Sequence, residues 1–164
     1  MDVMNMPKTT LPNISDIKKR FSQFTFNEHE VFHWSPKDNC VYYDPAELSS
    51  KYGIFQLLHE IGHALCGHKN YTSGVQLLKI ETDAWKKAYE LAKSYNLKIK
   101  PEQIERCLDS YRDWLHLRST CPQCQAVSIE IDTNYYHCFN CMQKWKVPSS
   151  QRTRHYRQRL DTRA

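Results

Sequence analysis

The 164-residue sequence predicts an α+β fold in two parts: a small domain in which a β-hairpin or small sheet packs on two functional helices, then a four-cysteine metal ribbon. Three observations predict it. An H-E-x-x-H pattern, His59-Glu60-Ile61-Gly62-His63, sits inside the apolar, helix-compatible segment Leu57–His68. A run of β-formers precedes it, with helical periodicity on either side. Two C-x-x-C pairs, Cys121/Cys124 and Cys138/Cys141, follow the last helical segment.

In chain order, Ile14, Ile17, Phe21 and Phe24 recur at three- and four-residue steps. A first amphipathic helix is therefore expected within Leu11–Phe26, capped by Asn13 or Ser15. FTFN, EVFHW and CVYYD then read as strands, with Ser35–Asn39 as turn material before the last. They predict a hairpin or a three-stranded sheet, ended by Asp44-Pro45. The motif helix is expected from near Gly53 to about Gly67, which suits a C-terminal cap. A second helix is expected over Gly74–Tyr95, with the stripe Leu77, Leu78, Ala84, Trp85, Ala88, Leu91, Ala92 and Tyr95. A third starts at Pro101 and runs to about Leu117, with Ile104, Leu108, Tyr111 and Leu115 inward.

On a helix four residues turn the chain by about 400°, so His59 and His63 leave one face a turn apart. That spacing lets two imidazoles share one Zn²⁺. Glu60, about 100° round the helix, is placed to reach an activated water instead. A catalytic zinc needs a third protein ligand and an open fourth position. Glu81, with seventeen residues between it and His63, stands on the apolar stripe of the next helix, between Leu77/Leu78 and Ala84/Trp85. A carboxylate among core residues is expensive to bury unless paired or metal-bound. Asp83 shares its face with Lys79, Lys86 and Lys87, so periodicity selects Glu81. The alternative for Glu81 is a half-buried carboxylate paired with a Lys or Tyr.

VYYDP (41–45), HEIGHALCGH (59–68) and ETDAWKKA (81–88) together resemble the gluzincin group of zinc metallopeptidases, most closely the small ImmA/IrrE-like (minigluzincin) family. The likeness spans roughly residues 12–118. It implies a zincin-like domain and cleavage of a particular protein, typically a DNA-bound regulator. Many relatives carry Asn where this chain has Trp85. The three-histidine metzincin pattern fails, because Cys66 and Lys69 occupy the positions of its Gly and last His. CVYYD is a candidate edge for an extended substrate. His68, Tyr42, Tyr43 and Tyr89 are candidates to stabilise an oxyanion. Cys66 is expected to be a buried thiol.

Thirteen residues separate Cys124 from Cys138, a spacing that lets Cys121, Cys124, Cys138 and Cys141 surround one structural zinc. Strands AVSIEI, YYH and KWKV complete the ribbon. The expected organisation is 1–118 metallopeptidase domain, 119–147 ribbon and 148–164 a basic tail with too few apolar residues to fold alone. Five Arg against one Asp in the last 17 residues carry +4 of the net +5 charge. Lys144, Trp145, Lys146, Tyr135 and Tyr136, with that tail, form a candidate nucleic-acid surface.

The sequence thus implies hydrolysis of peptide bonds in a specific protein, with Glu60 catalytic and two zincs, one catalytic and one structural. The rival is a nucleic-acid- or protein-binding ribbon adaptor whose first domain is inactive. No apolar run can span a membrane, and MDVMNMPKTTLPN lacks the order of a secretory signal, so a cytoplasmic protein is expected. The odd, scattered cysteine set agrees with a reducing compartment.

Overall fold

The computed structural model describes residues 10–151 and 156–160. The expected start segment and part of the basic tail lie outside those residues. The described chain has four α-helices and two small sheets, an α+β arrangement. It divides into two compact units. One holds the described residues up to Lys69 together with Ile80–Pro101; the other holds Asn70–Lys79 together with the described residues from Glu102 on. The expected 118/119 boundary therefore falls inside the second unit. No helix among the described residues is long and apolar enough to cross a membrane.

In the first unit α1 (Ile14–Arg20) is capped by Asn13, whose Oδ1 accepts from the Ser15 N–H at 2.8 Å. It ends earlier than periodicity suggests because the chain from Thr25 is claimed by a sheet. β1 (Thr25–Glu28) pairs in parallel with β3 (Cys40–Tyr43), and β2 (His33–Ser35) pairs antiparallel with it, giving the order β1-β3-β2. Two ladders on β3 correct the expectation that CVYYD is an open edge. Cys40, Val41 and Tyr43 are buried, and a strand so buried is stable only with both sides paired. The edges are β1 and β2.

A 3₁₀ turn at Glu47–Ser49 leads into α2 (Lys51–Leu65). Ser50 caps it, its hydroxyl accepting from the Gly53 N–H at 2.9 Å. Ile54, Leu57, Leu58 and Ile61 are at most 1% exposed, so α2 is the centre of this core. Gly67, at φ +65°, closes the helix in the left-handed region. α3 (Gly74–Ser94) buries Ala84, Trp85, Ala88, Leu91 and Ala92 in this unit, matching the expected stripe. Gly62 is what lets the two helices meet. A Cβ there would stand 2.5 Å from the Ala84 carbonyl oxygen, so only glycine admits so close a crossing.

In the second unit α4 (Pro101–Ser119) buries Leu108, Arg118 and Ser119. A four-stranded antiparallel sheet follows: β4 (Ile129–Asp132), β5 (Tyr135–His137), β6 (Lys144–Lys146) and β7 (Gln158–Leu160) in sequential order. The three expected ribbon strands are present. The fourth arises from the segment expected to be an unfolded tail. It needs no apolar side chains, because it pairs its backbone with the otherwise open edge of β6. Arg157 and Arg159 also donate to the Thr120 and Pro122 carbonyls at 2.7 and 2.8 Å. Arg118 is buried, with its guanidinium 4.0 Å from the Trp114 ring, Nε donating to the Tyr136 hydroxyl at 3.2 Å and Nη2 to Asn134 Oδ1 at 2.5 Å.

Candidate metal centres

His59 and His63 leave the same face of α2, as the four-residue spacing requires, and Glu81 meets them from α3. His59 Nε2 lies 3.1 Å from His63 Nε2 and 3.1 Å from Glu81 Oε2; His63 Nε2 lies 3.5 Å from Glu81 Oε1. All three residues are buried, at 5%, 7% and 7% exposure. Ligand atoms about 2.0–2.1 Å from a tetrahedral zinc lie about 3.3–3.4 Å apart, close to these separations. Two imidazole nitrogens and a carboxylate oxygen converge on one buried point, each able to offer a lone pair to a shared cation. The donor set therefore fits a divalent cation. Burial pushes the Glu81 carboxyl up, but hydrogen bonds and charge from His59 and His63 outweigh it and bring it down to about 2. It is an ionised carboxylate, as a metal ligand must be. Asp83, the rejected alternative, is not in the cluster.

Glu60 is half-buried beside the pair, and its Oε2 accepts the backbone N–H of Trp34 at 2.8 Å. Trp34 lies in β2, so the strand edge orients this carboxylate. The indole Nε1 of Trp34 donates in turn to the His68 carbonyl at 3.0 Å. His68, an oxyanion candidate by sequence, stands behind His63 instead, with the two Nδ1 atoms 2.9 Å apart. An imidazole that ligates through Nε2 carries its proton on Nδ1, so His63 would donate and His68 accept. Tyr43 is buried and accepts from Lys18 Nζ at 2.9 Å. Cys66, expected to be buried, is exposed: it is the C-cap residue, beyond the last packed turn of α2.

The Trp34 amide left no trace in the sequence, since any residue supplies an N–H. His68 did leave one, five residues after His63, but only the left-handed turn at Gly67 brings it back to that ring.

In the second unit the four sulfurs of Cys121, Cys124, Cys138 and Cys141 lie within 4.8 Å of one another. The Cys121–Cys141 and Cys124–Cys138 separations are both 3.5 Å, against about 3.8 Å for the edge of a zinc–thiolate tetrahedron. Their unequal hydrogen bonding splits their acidities. A hydrogen bond from Ser128, with others from the backbone, draws Cys138 down to about 6. Despite the Gln143 N–H, partial burial and the thiols of Cys124, Cys121 and Cys138 push Cys141 up to about 12. Four thiolates cannot share this space without a cation among them.

Two of the three aromatic residues of the candidate nucleic-acid surface are placed differently from the expectation, while Tyr135 is half-buried. Trp145 and Tyr136 are 0% and 2% exposed and stack on each other at 5.5 Å. They are the ribbon's own core and cannot stack on bases. A domain this small has few other residues with which to build one.

A family model described as the IrrE N-terminal-like domain, Peptidase_M78, matches residues 13–151. No curated protein and no solved structure matches the chain.

Proposed function

The chain belongs to the IrrE N-terminal-like (Peptidase_M78) family, and from that premise we propose that it is a zinc metallopeptidase acting on a specific protein. The observation that carries this reading is the convergence of His59, His63 and Glu81 on one buried point, with Glu60 fixed beside it. His59 Nε2, His63 Nε2 and the Glu81 carboxylate would hold the catalytic zinc; the four cysteines would hold a structural one. Zinc bound by the first set supplies Lewis acidity, polarising the scissile carbonyl and acidifying water.

The rest falls to the chain's own groups. Glu60 takes the proton of the attacking water and delivers it to the leaving amine. The Trp34 N–H holds one of its oxygens, so the carboxylate meets the water without searching rotamers. The same strand offers the substrate a register. β2 is an edge, and an extended peptide laid along it would run past Glu60. A folded protein presents such a segment only at an exposed loop or terminus, which favours a particular target over bulk digestion.

A DNA-bound regulator as that target is an extension from the family resemblance, and the ribbon is its candidate recruiter. With Trp145 and Tyr136 buried, the groups left to meet a nucleic acid are chiefly exposed Lys144 and Lys146, with half-buried Tyr135 beside Lys146, so phosphate contacts would dominate. Such binding would be steeply salt-dependent.

The test is Glu60→Gln in the full chain. Zinc content and thermal stability should match the wild type, while peptide hydrolysis falls by about 10²–10⁴-fold. Undiminished hydrolysis in that variant would sink the catalytic assignment.

A further inference from the structure

The geometry points to Trp85 as the positioning residue of His59, holding this ligand by aromatic stacking where a hydrogen bond would ordinarily hold it, a role that rests on the metallopeptidase reading above. The two imidazoles of α2 are supported differently. His63 has His68 at its second nitrogen, 2.9 Å away. His59 Nδ1 is closed off from solvent and has no hydrogen-bond partner among the described residues. Metal-bound histidines almost always give that second N–H to a carboxylate, a carbonyl or water, which fixes the ring and raises its basicity.

What His59 has instead is the indole of Trp85. The ring centroids are 4.3 Å apart and the planes meet at 27°. Trp85 is 4% exposed, so the platform is itself fixed by packing. It stands four residues after Glu81 on α3, one turn along the same face. A single helical face thus delivers both the third ligand and the support for the first.

The two kinds of support do different chemistry. A hydrogen bond at Nδ1 feeds electron density into the ring and strengthens its hold on a metal. A stack sets the plane of the ring without doing so. It adds another effect, because an imidazole grows electron-poor when its Nε2 lone pair is donated to a dication. The negative face of the indole then attracts it more strongly than it attracts the free ring. Trp85 therefore favours the metal-loaded form of His59, while the orphaned Nδ1 leaves that ligand weaker than its partner.

The experiment measures metal binding and does not depend on peptidase activity. The full chain, with zinc already in the cysteine site, is titrated with zinc against a chromophoric chelator as wild type, Trp85→Phe and Trp85→Leu. Thermal unfolding of each chain before the titration separates folding from binding. Trp85→Leu should lose about tenfold or more in affinity, the scale of an outer support lost from a metal site. Trp85→Phe, which keeps an aromatic face, should stay within about threefold of wild type, as befits a weaker ring of the same kind. In ¹⁵N-histidine NMR of the loaded wild type, the His59 Nδ1–H should resonate upfield of the hydrogen-bonded one of His63. It should shift again in Trp85→Leu when the ring current is removed. Equal affinities for a folded Leu variant and wild type, or two Nδ1–H signals at the same downfield position, would overturn the role. A wild-type chain that takes up no zinc beyond the cysteine site would overturn the peptidase reading and this role with it.

Discussion

The two candidate metal centres are built on opposite plans. His59, His63 and Glu81 stand on helices packed by residues that have no part in the cluster: Ile54, Leu57, Leu58 and Ile61 on α2, Ala84, Ala88 and Ala92 on α3. The ribbon's buried cluster is Cys121, Tyr136, Cys138, Trp145 and Val147, so two of its five members are themselves candidate metal ligands. On the reading proposed above, the first is a fold that would hold a metal, whereas in the second the metal would be a large part of what holds the fold. Apolar burial of about 25 cal/mol per Å² can order α2 and α3. Tyr136, Trp145 and Val147 give the four short strands only a small apolar core, and small metal domains draw about 10–16 kcal/mol of apparent folding energy from the ion.

The comparison can be broken at its strong end first. Cys121→Ser should leave the ribbon unfolded at neutral pH, visible as loss of dispersed amide signals from 120–147, while signals from α2 keep their positions. A ribbon that stays dispersed without zinc would show that the strands order themselves. His59→Ala should remove one zinc of two, yet leave the first unit folded and its unfolding transition cooperative. Collapse of that unit on losing this one side chain would erase the contrast.

Smaller effects sharpen it. Gly62→Ala sets a methyl 2.5 Å from the Ala84 carbonyl oxygen, forcing α2 and α3 apart. Chemical denaturation should show a loss of about 1–3 kcal/mol, as overpacking does. Because Glu81 rides on α3, zinc affinity at the histidines should fall as well, whereas the ribbon should keep its metal. The smallest change is Asn13→Ala, which deletes the α1 cap and should cost about 1 kcal/mol with no effect on either site.

Much of the first centre was readable before any fold was known. His59 and His63 follow from a spacing, and Glu81 from being a carboxylate on an apolar stripe; in the structure it is 7% exposed and faces both histidines. The cysteine pairs were readable for the same reason: local spacing sets local geometry. The strand order was not. CVYYD looked like an edge because the sequence places it last before the motif helix, but pairing is a contest among all strands, and the most buried one took the centre. The tail likewise has few apolar residues, which says nothing about an open strand edge waiting beside it.

What the sequence determined by itself, then, is the chemistry carried at short range: two histidines a turn apart, a carboxylate out of place on an apolar face, and four thiols in two knuckles. Periodicity and spacing act over a turn or a loop, and those can be counted along the chain. What only the tertiary structure decided is how each of those groups is supported. The Trp34 amide on Glu60, His68 behind His63 and Trp85 beneath His59 join segments tens of residues apart or turns of irregular backbone. Such contacts exist only after the helices cross, and the helices cross at that distance because residue 62 has no side chain.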